Sequence, residues 1–213
     1  MQTDDLIAVM SASARPVDTS WLGRVTWGSA FVALLLAALL LKVTLGVRAD
    51  IVVAMWTVPV LAKVLFGASI AGIALVLFLH SLRPGSRPRR LLPMIALPAA
   101  VVWFWALATL AQAPVEQWGT LTFGRNWLIC LIAVPSYALA PLLILVLLAR
   151  QGAPVDGRFT GVVAGLASGG LSTMAYSLHC PDDTIPFLAA WYTLAIAFLS
   201  GFAALLVPRL LRW

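Results

Sequence analysis

Six stretches of apolar residues run along the chain, separated by short segments that hold most of its charged residues. Each stretch is long enough to cross about 30 Å of hydrocarbon at a helical rise of about 1.5 Å per residue. None alternates polar and apolar positions as membrane-barrel strands do, so the pattern predicts helices, which satisfy their own backbone hydrogen bonds in lipid. The predicted spans cover residues 25–43, 53–79, 91–111, 127–149, 159–178 and 187–207.

The composition supports this pattern. Of 213 residues, 62% are hydrophobic and 10% are charged, whereas soluble domains carry about 25% charged residues. A soluble globular enzyme and a disordered chain are both excluded, which leaves an all-α polytopic membrane protein embedded in the lipid bilayer. We divide it into an N-terminal segment, residues 1–24, and a six-helix transmembrane domain, residues 25–213. Residues 1–24 lack the basic start and apolar core of a signal peptide, so the first span is expected to remain as an anchor.

The distribution of basic residues predicts the orientation. The net charge of +6 comes from short arginine clusters between the apolar runs, which is typical of membrane topology rather than of direct nucleic-acid binding. By the positive-inside rule both termini are predicted to be cytoplasmic, in a bacterial inner membrane. The arginines on that side are Arg15, Arg24, Arg83, Arg87, Arg89, Arg90, Arg150, Arg158, Arg209 and Arg212, against Lys42, Arg48 and Arg125 on the other.

Catalytic constellations are not recognisable. His80 and His179 fall at opposite ends of the predicted spans, so no histidine-based triad or paired-histidine metal motif can form, and we predict no enzyme activity. Lys63 is the only candidate for an ionisable group at mid-membrane, and its long stem could reach outward, which favours a structural role. Because ion-coupled transporters usually carry an ionisable group at mid-membrane, a small exporter or metal-handling permease is the alternative function rather than the first.

A stripe of glycines marks the fifth predicted span. Gly161, Gly165 and Gly169 recur at four-residue intervals, which lets two helix backbones approach closely. Packing within the chain is the first interpretation, and a homodimer face is the second.

Two cysteines carry the candidate chemistry. Cys130 and Cys180 both map to the outer rim of the bundle, and in a bacterium that side is the oxidising periplasm. Together with His179 and Asp182 they offer thiolate, imidazole and carboxylate ligands that suit a soft or borderline divalent metal. The alternatives are an inert buried thiol at Cys130 and an ordinary turn after His179. No resident cofactor is predicted, only regulatory binding of such a metal or oxidation of the thiol pair.

The N-terminal segment predicts a short amphipathic helix over residues 3–14. Asp4 and Asp5 lie in its first turn, and Leu6 and Met10 form an apolar stripe with either Ile7 or Ala14. Such a helix lies on a membrane or docks in the groove of a partner. The acidic start disfavours anionic lipid and favours a protein partner.

Several of these motifs together resemble one family. They are the Thr3-Asp4-Asp5-Leu6-Ile7 opening, the Gly165-Leu166-Ala167-Ser168-Gly169 run, the stretch from Tyr176 to Asp183 and the closing Pro208-Arg209-Leu210-Leu211-Arg212-Trp213. The chain resembles the NrsF family of bacterial inner-membrane anti-sigma factors along essentially its whole length. The resemblance implies that the protein sequesters an extracytoplasmic-function sigma factor at the membrane and releases it under stress. It also implies that paired outer cysteines, here Cys130 and Cys180, sense oxidants or heavy metals.

Overall fold

A computed structural model describes residues 19–83 and 88–211 of the chain. The predicted partner-binding helix, with Asp4, Asp5, Leu6, Ile7 and Met10, lies outside the described residues. The boundary between an N-terminal segment and the transmembrane domain is likewise outside what the structure tests.

Helices account for all the regular secondary structure of the described ranges, which confirms the all-α prediction. Shorter helical pieces are Ile51–Ala54, the 3₁₀ segments Pro88–Ile95 and Val115–Gln117, Trp118–Phe123, Ile185–Phe187 and a π-helical turn, Leu188–Tyr192. The six long helices are α1 (Thr19–Thr44), α2 (Val58–Ser81), α3 (Ala96–Gln112), α4 (Trp127–Ala149), α5 (Gly157–Tyr176) and α6 (Thr193–Leu210).

Five helical stretches in the described ranges are long and apolar enough to cross a membrane: Ser20–Thr44, Val58–Ser81, Pro93–Gln112, Val115–Ala149 and Ile185–Leu210. Helix α5 spans 20 residues but is rich in glycine, serine and threonine, and it is not one of the five. Six spans and the sidedness of the termini therefore stay predictions.

Helix α5 lies at the centre of the bundle. Fifteen of its twenty residues are buried, and it packs most extensively against α6 and α2. A Cβ added at Gly161 would lie 2.5 Å from the carbonyl oxygen of Ala203, and one at Gly165 would lie 2.6 Å from the Cα of Ser200. Gly169 likewise faces α6. The glycine stripe is used for packing within the chain, so the alternative of a homodimer face formed by these three glycines is wrong.

The long helices run antiparallel and leave two chemically different ends. At one, called here the basic end, Arg150, the residue after α4, donates to the carbonyl of Leu210 at 2.9 Å, and Thr160 of α5 donates to Ser81 of α2 at 3.2 Å. At the other, called here the cysteine end, the connections α1–α2, α3–α4 and α5–α6 meet. This grouping of the connections agrees with the two sides that the distribution of basic residues predicted.

Candidate functional site

The connection between α5 and α6, residues 178–184 (loop 178–184), is the centre of the cysteine end. It begins as α5 unwinds, where the backbone N–H of Cys180 donates to the carbonyl of Tyr176 at 3.1 Å. Pro181 follows and has no N–H with which to continue the helix. At its far end the Thr184 hydroxyl donates to the carbonyl of Leu121 in the α3–α4 connection at 2.6 Å. The loop is thereby held at both ends by backbone atoms.

Two cations hold the middle of this loop. The Lys63 ammonium from α2, with its residue 0% exposed, donates to the Cys180 carbonyl at 3.1 Å and to Asp183 Oδ1 at 2.7 Å. The Arg48 guanidinium from the α1–α2 connection donates to the same carbonyl at 3.2 Å and to Asp183 Oδ2 at 2.9 Å. A buried ammonium is tolerable only when it is paired and hydrogen-bonded. The structural role predicted for Lys63 agrees with these contacts.

Arg48 has a second carboxylate partner. Its Nε and Nη2 donate to the two oxygens of Asp50 at 2.7 and 2.8 Å, the two-pronged geometry that a guanidinium favours. Hydrogen bonding to Asp50, reinforced by Asp183, raises the pKa of Arg48 against the lowering effect of burial. The same hydrogen bond lowers the pKa of Asp50. Both groups are therefore charged at neutral pH.

Asp182 ties the loop to the start of α4. Its carboxylate accepts hydrogen bonds from the backbone N–H of Arg125 at 3.1 Å, from the backbone N–H of Asn126 at 2.9 Å and from the Asn126 amide at 3.0 Å. An acidic group at a helix N-terminus also interacts favourably with the helix dipole. Gly124 precedes these donors with φ of 55°, and a Cβ there would lie 2.8 Å from Asp182 Cγ. Glycine is required by both the backbone angle and this contact.

The two cysteines are free thiols buried at 0% exposure. They lie in one apolar cluster with Tyr176, Phe187 and Tyr192. Burial raises the pKa of the Cys180 thiol, while Lys63 acts in the opposite direction. Cys180 is thus a neutral thiol at neutral pH. The structure brings the predicted pair into one cluster without a disulfide between them.

The predicted metal ligands have other partners. His179 Nδ1 lies 3.0 Å from the carbonyl oxygen of Gly46, and Asp182 is engaged at the start of α4. Over residues 19–83 and 88–211, no group of three or more histidine, cysteine, aspartate or glutamate side chains is arranged to hold a metal ion. The set Cys130, Cys180, His179 and Asp182 thus has no geometric support as a four-ligand site.

Sequence reasoning missed the partners of Lys63. In the sequence, Arg48 stands out only as a basic residue of the outer side and Asp183 only as the end of a family motif, because their pairing joins residues 135 apart in the chain. The signal that could have found them is Lys63 itself, since an ionisable residue in a span needs a partner within reach of its stem. Tyr176 and Tyr192, which border Cys180, were also missed, because nothing local distinguishes them from ordinary packing residues.

Comparisons with known proteins agree with the resemblance seen in the sequence. The family described as negative regulator of sigma F, NrsF, matches residues 10–213. The chain is 29% identical over the full length of both chains to a probable anti-sigma-F factor NrsF from Azospira oryzae, and 33% identical over the full length of both to the anti-sigma-F factor NrsF from Caulobacter vibrioides. No solved structure matches the chain. Anti-sigma factors are regulatory proteins rather than enzymes. With its family match and its two full-length relatives, the chain belongs to the NrsF family.

Proposed function

We propose that the protein holds an extracytoplasmic-function sigma factor at the bacterial inner membrane and releases it when Cys130 and Cys180 react on the periplasmic side. The names of two full-length relatives support an anti-sigma role. The observation that carries the sensing part is the burial of both thiols in one cluster beneath loop 178–184. A chemical change at either sulfur alters the packing under a loop that several elements hold.

The proposed topology has six spans and cytoplasmic termini. Helix α5 has 20 residues, enough for about 30 Å of hydrocarbon at about 1.5 Å per residue. Its glycine, serine and threonine residues face neighbouring helices instead of lipid, because most of the helix is buried. A span that touches little lipid does not need the apolar surface of its neighbours. The basic end then faces the cytoplasm by the positive-inside rule.

Rigid helices connect the two ends in this proposal. Helix α2 carries Lys63 near the cysteine end and Ser81 at the basic end, where Ser81 accepts a hydrogen bond from Thr160 of α5. Helix α5 in turn runs from Thr160 to Tyr176, immediately before loop 178–184. Packed helices shift as units, since close-packed contacts have discrete alternative arrangements. A rearrangement of the loop would thereby reach the cytoplasmic ends of α2 and α5.

The N-terminal segment is the proposed contact with the sigma factor. Its predicted apolar stripe suits a groove in a protein partner. Replacing Leu6 and Met10 by Asp places unpaired charge in that contact, which costs several kcal/mol of binding. We expect constitutive sigma activity with an unchanged amount of protein in the membrane. Ala8→Asp is the control, because it adds a charge off the predicted stripe.

A sigma-dependent reporter in cells tests both parts. Cys130→Ser and Cys180→Ser are each expected to abolish induction by oxidant or soft metal while basal repression persists, and the double variant is expected to be no worse than either. Induction that survives in both single variants would contradict cysteine sensing. Full repression by the variant with Leu6 and Met10 replaced would place the sigma contact elsewhere in the chain. Solute flux through purified protein in vesicles, with no sigma factor co-purifying, would favour a permease.

A further inference from the structure

The backbone of Cys180 is fixed on both sides of its side chain. Its N–H donates to the carbonyl of Tyr176 at 3.1 Å, and its carbonyl accepts hydrogen bonds from Lys63 at 3.1 Å and from Arg48 at 3.2 Å. The side chain itself is 0% exposed and lies in the apolar cluster with Cys130. Because each peptide group is rigid and planar, fixing both of them also fixes the direction of the side chain between them. The thiol therefore cannot turn toward solvent unless one of these hydrogen bonds breaks.

Asp183 gives the same two cations a second contact with the loop. Lys63 donates to Asp183 Oδ1 at 2.7 Å and Arg48 donates to Asp183 Oδ2 at 2.9 Å. Hydrogen bonds between two charged groups are roughly twice as strong as those between neutral groups. Lys63 and Arg48, together with the Cys180 carbonyl and the Asp183 carboxylate, are called here the cation latch. The strongest contacts of the loop are thus also the ones that hold the backbone of Cys180.

Solvent reaches the residues next to Cys180. Pro181 and Asp182, which follow it in the chain, line an open cavity of about 510 Å³ at the surface of the cysteine end. Cys180 does not line this cavity and is 0% exposed. Solvent thus comes within one residue of a thiol that it does not reach. Proteins open locally at a lower free-energy cost than global unfolding, and loops with few apolar contacts open most readily. A short local opening of loop 178–184 is enough to expose the thiol.

We propose that loop 178–184 is a gate over Cys180 and that the cation latch sets how often the gate opens. In the closed state the thiol is out of reach of dissolved reagents. In the open state Lys63 and Arg48 have released the Cys180 carbonyl and Asp183, and the thiol meets solvent. The two cations are positioning residues, because they act on the thiol through the loop backbone. The inference rests on the proposed sensing function only for its meaning in cells.

The gate explains how a buried thiol can report on its surroundings. A thiol that only the open state exposes reacts at the rate of an exposed thiol multiplied by the fraction of open molecules. Any change that weakens the cation latch raises that fraction and speeds the reaction. Any change that leaves the hydrogen bonds between the cations and the loop intact leaves the rate unchanged.

The test measures alkylation of Cys180 by iodoacetamide in the full chain purified in detergent. Cys130→Ser leaves one thiol, and mass spectrometry follows its labelled fraction with time. Arg48→Met is expected to speed labelling about 5-fold or more, the value of one lost hydrogen bond of about 1 kcal/mol. This variant strands no buried charge, because Lys63 stays paired with Asp183. Asp183→Asn removes the carboxylate from both cations and is expected to speed labelling about 10-fold or more.

Asp50→Asn is the matched control. It also removes a carboxylate partner of Arg48, but Asp50 lies outside the loop and its side chain is 62% exposed. Arg48 keeps its hydrogen bonds to the Cys180 carbonyl and to Asp183 in this variant. Exposed ion pairs contribute little to stability. Labelling of Cys180 is therefore expected to stay close to that of the parent chain, and acceleration as large as that of Asp183→Asn would contradict the latch.

Cys130 separates a local gate from a general loss of stability. It is also 0% exposed and lies in the same cluster, but it belongs to α4 and not to the loop. In a chain with Cys180→Ser, Arg48→Met is expected to raise Cys130 labelling far less than it raises Cys180 labelling in the first chain. Equal acceleration of both thiols by Arg48→Met, or no acceleration at Cys180, would overturn the gate. Gated labelling together with full induction of the Cys180→Ser variant in cells would instead refute the sensing function and leave the gate standing.

Discussion

Asp183 is expected to matter more for stability than Lys63, although the two form one ion pair. Asp183→Asn leaves the Lys63 ammonium fully buried without a carboxylate partner, because its remaining acceptors, the Cys180 carbonyl and the asparagine amide oxygen, are both uncharged. Lys63→Met leaves Asp183 paired with Arg48, and the Asp183 side chain is 27% exposed, so water can reach it. Loss of Asp183 therefore leaves a buried ammonium without a carboxylate, whereas loss of Lys63 leaves a carboxylate that is still paired and partly exposed to water.

The magnitudes follow from these contacts. Removing one partner of a buried pair and stranding the other costs about 3–5 kcal/mol, which applies to Asp183→Asn. Lys63→Met removes two hydrogen bonds, but the Cys180 carbonyl and Asp183 still accept hydrogen bonds from Arg48, so a cost of about 2–3 kcal/mol is expected. The double variant strands no buried charge, so its loss should fall at least 1 kcal/mol short of the sum of the two single losses.

Unfolding of the purified protein in a mild detergent, followed by the loss of monodisperse protein on heating, measures these effects. For a chain of this size 1 kcal/mol corresponds to roughly 2–4 °C in the midpoint. Lys42→Met is the control, because it removes an exposed lysine from the same end of the bundle. Equal losses for the two single variants, or additive losses in the double variant, would refute the reasoning that Lys63 depends on Asp183 for its burial.

Three further predictions concern topology, packing and thiol chemistry. A cysteine engineered at the exposed position Val115 is expected to react with a membrane-impermeant thiol reagent in intact cells, whereas one at the exposed position Val155 is expected to react only after lysis. The reverse pattern would invert the proposed orientation. Gly161→Leu is expected to lower the amount of folded protein sharply, because its side chain meets the α6 backbone, whereas Gly72→Ala, with open space around it, is tolerated. Alkylation of Cys180 in detergent is expected to keep rising above pH 9, since its raised pKa keeps the thiol protonated at lower pH; a plateau near pH 8.5, the ordinary thiol value, would contradict this.

The helices were predictable because lipid leaves a chain few choices. The predicted span 127–149 coincides with α4, whereas the first span, predicted from residue 25, begins six residues earlier at Thr19. The other bounds lie within a few residues of helix ends, except where short helices intervene. The span predicted from residue 53 begins instead at Val58, because Ile51–Ala54 forms a separate turn of helix and Pro59 starts the next one. The π-helical turn before α6 was not predictable, because its apolar residues would fit a regular α-helix equally well.

The site was less predictable than the helices because it depends on pairings between distant loops. The sequence placed Cys130 and Cys180 at one end, and the structure puts both in one cluster. It could not show that Asp182 faces the start of α4 instead of a metal, since that contact joins residues 56 apart. Local patterns predict helices, but the partner of a loop carboxylate is decided by how the helices assemble.

The enclosed position of α5 has a consequence for how the protein is made. A segment with so many glycine, serine and threonine residues gains little from lipid alone, and it leaves the ribosome before α6, against which its glycine stripe packs. As one of the six proposed spans, α5 is therefore expected to need α2 and α4 already in the bilayer, and α6 soon after, for stable insertion. In the proposed six-span topology the second half of the chain enters the membrane as a cooperative unit, and truncation after α5 is expected to leave a helix that the bilayer does not retain.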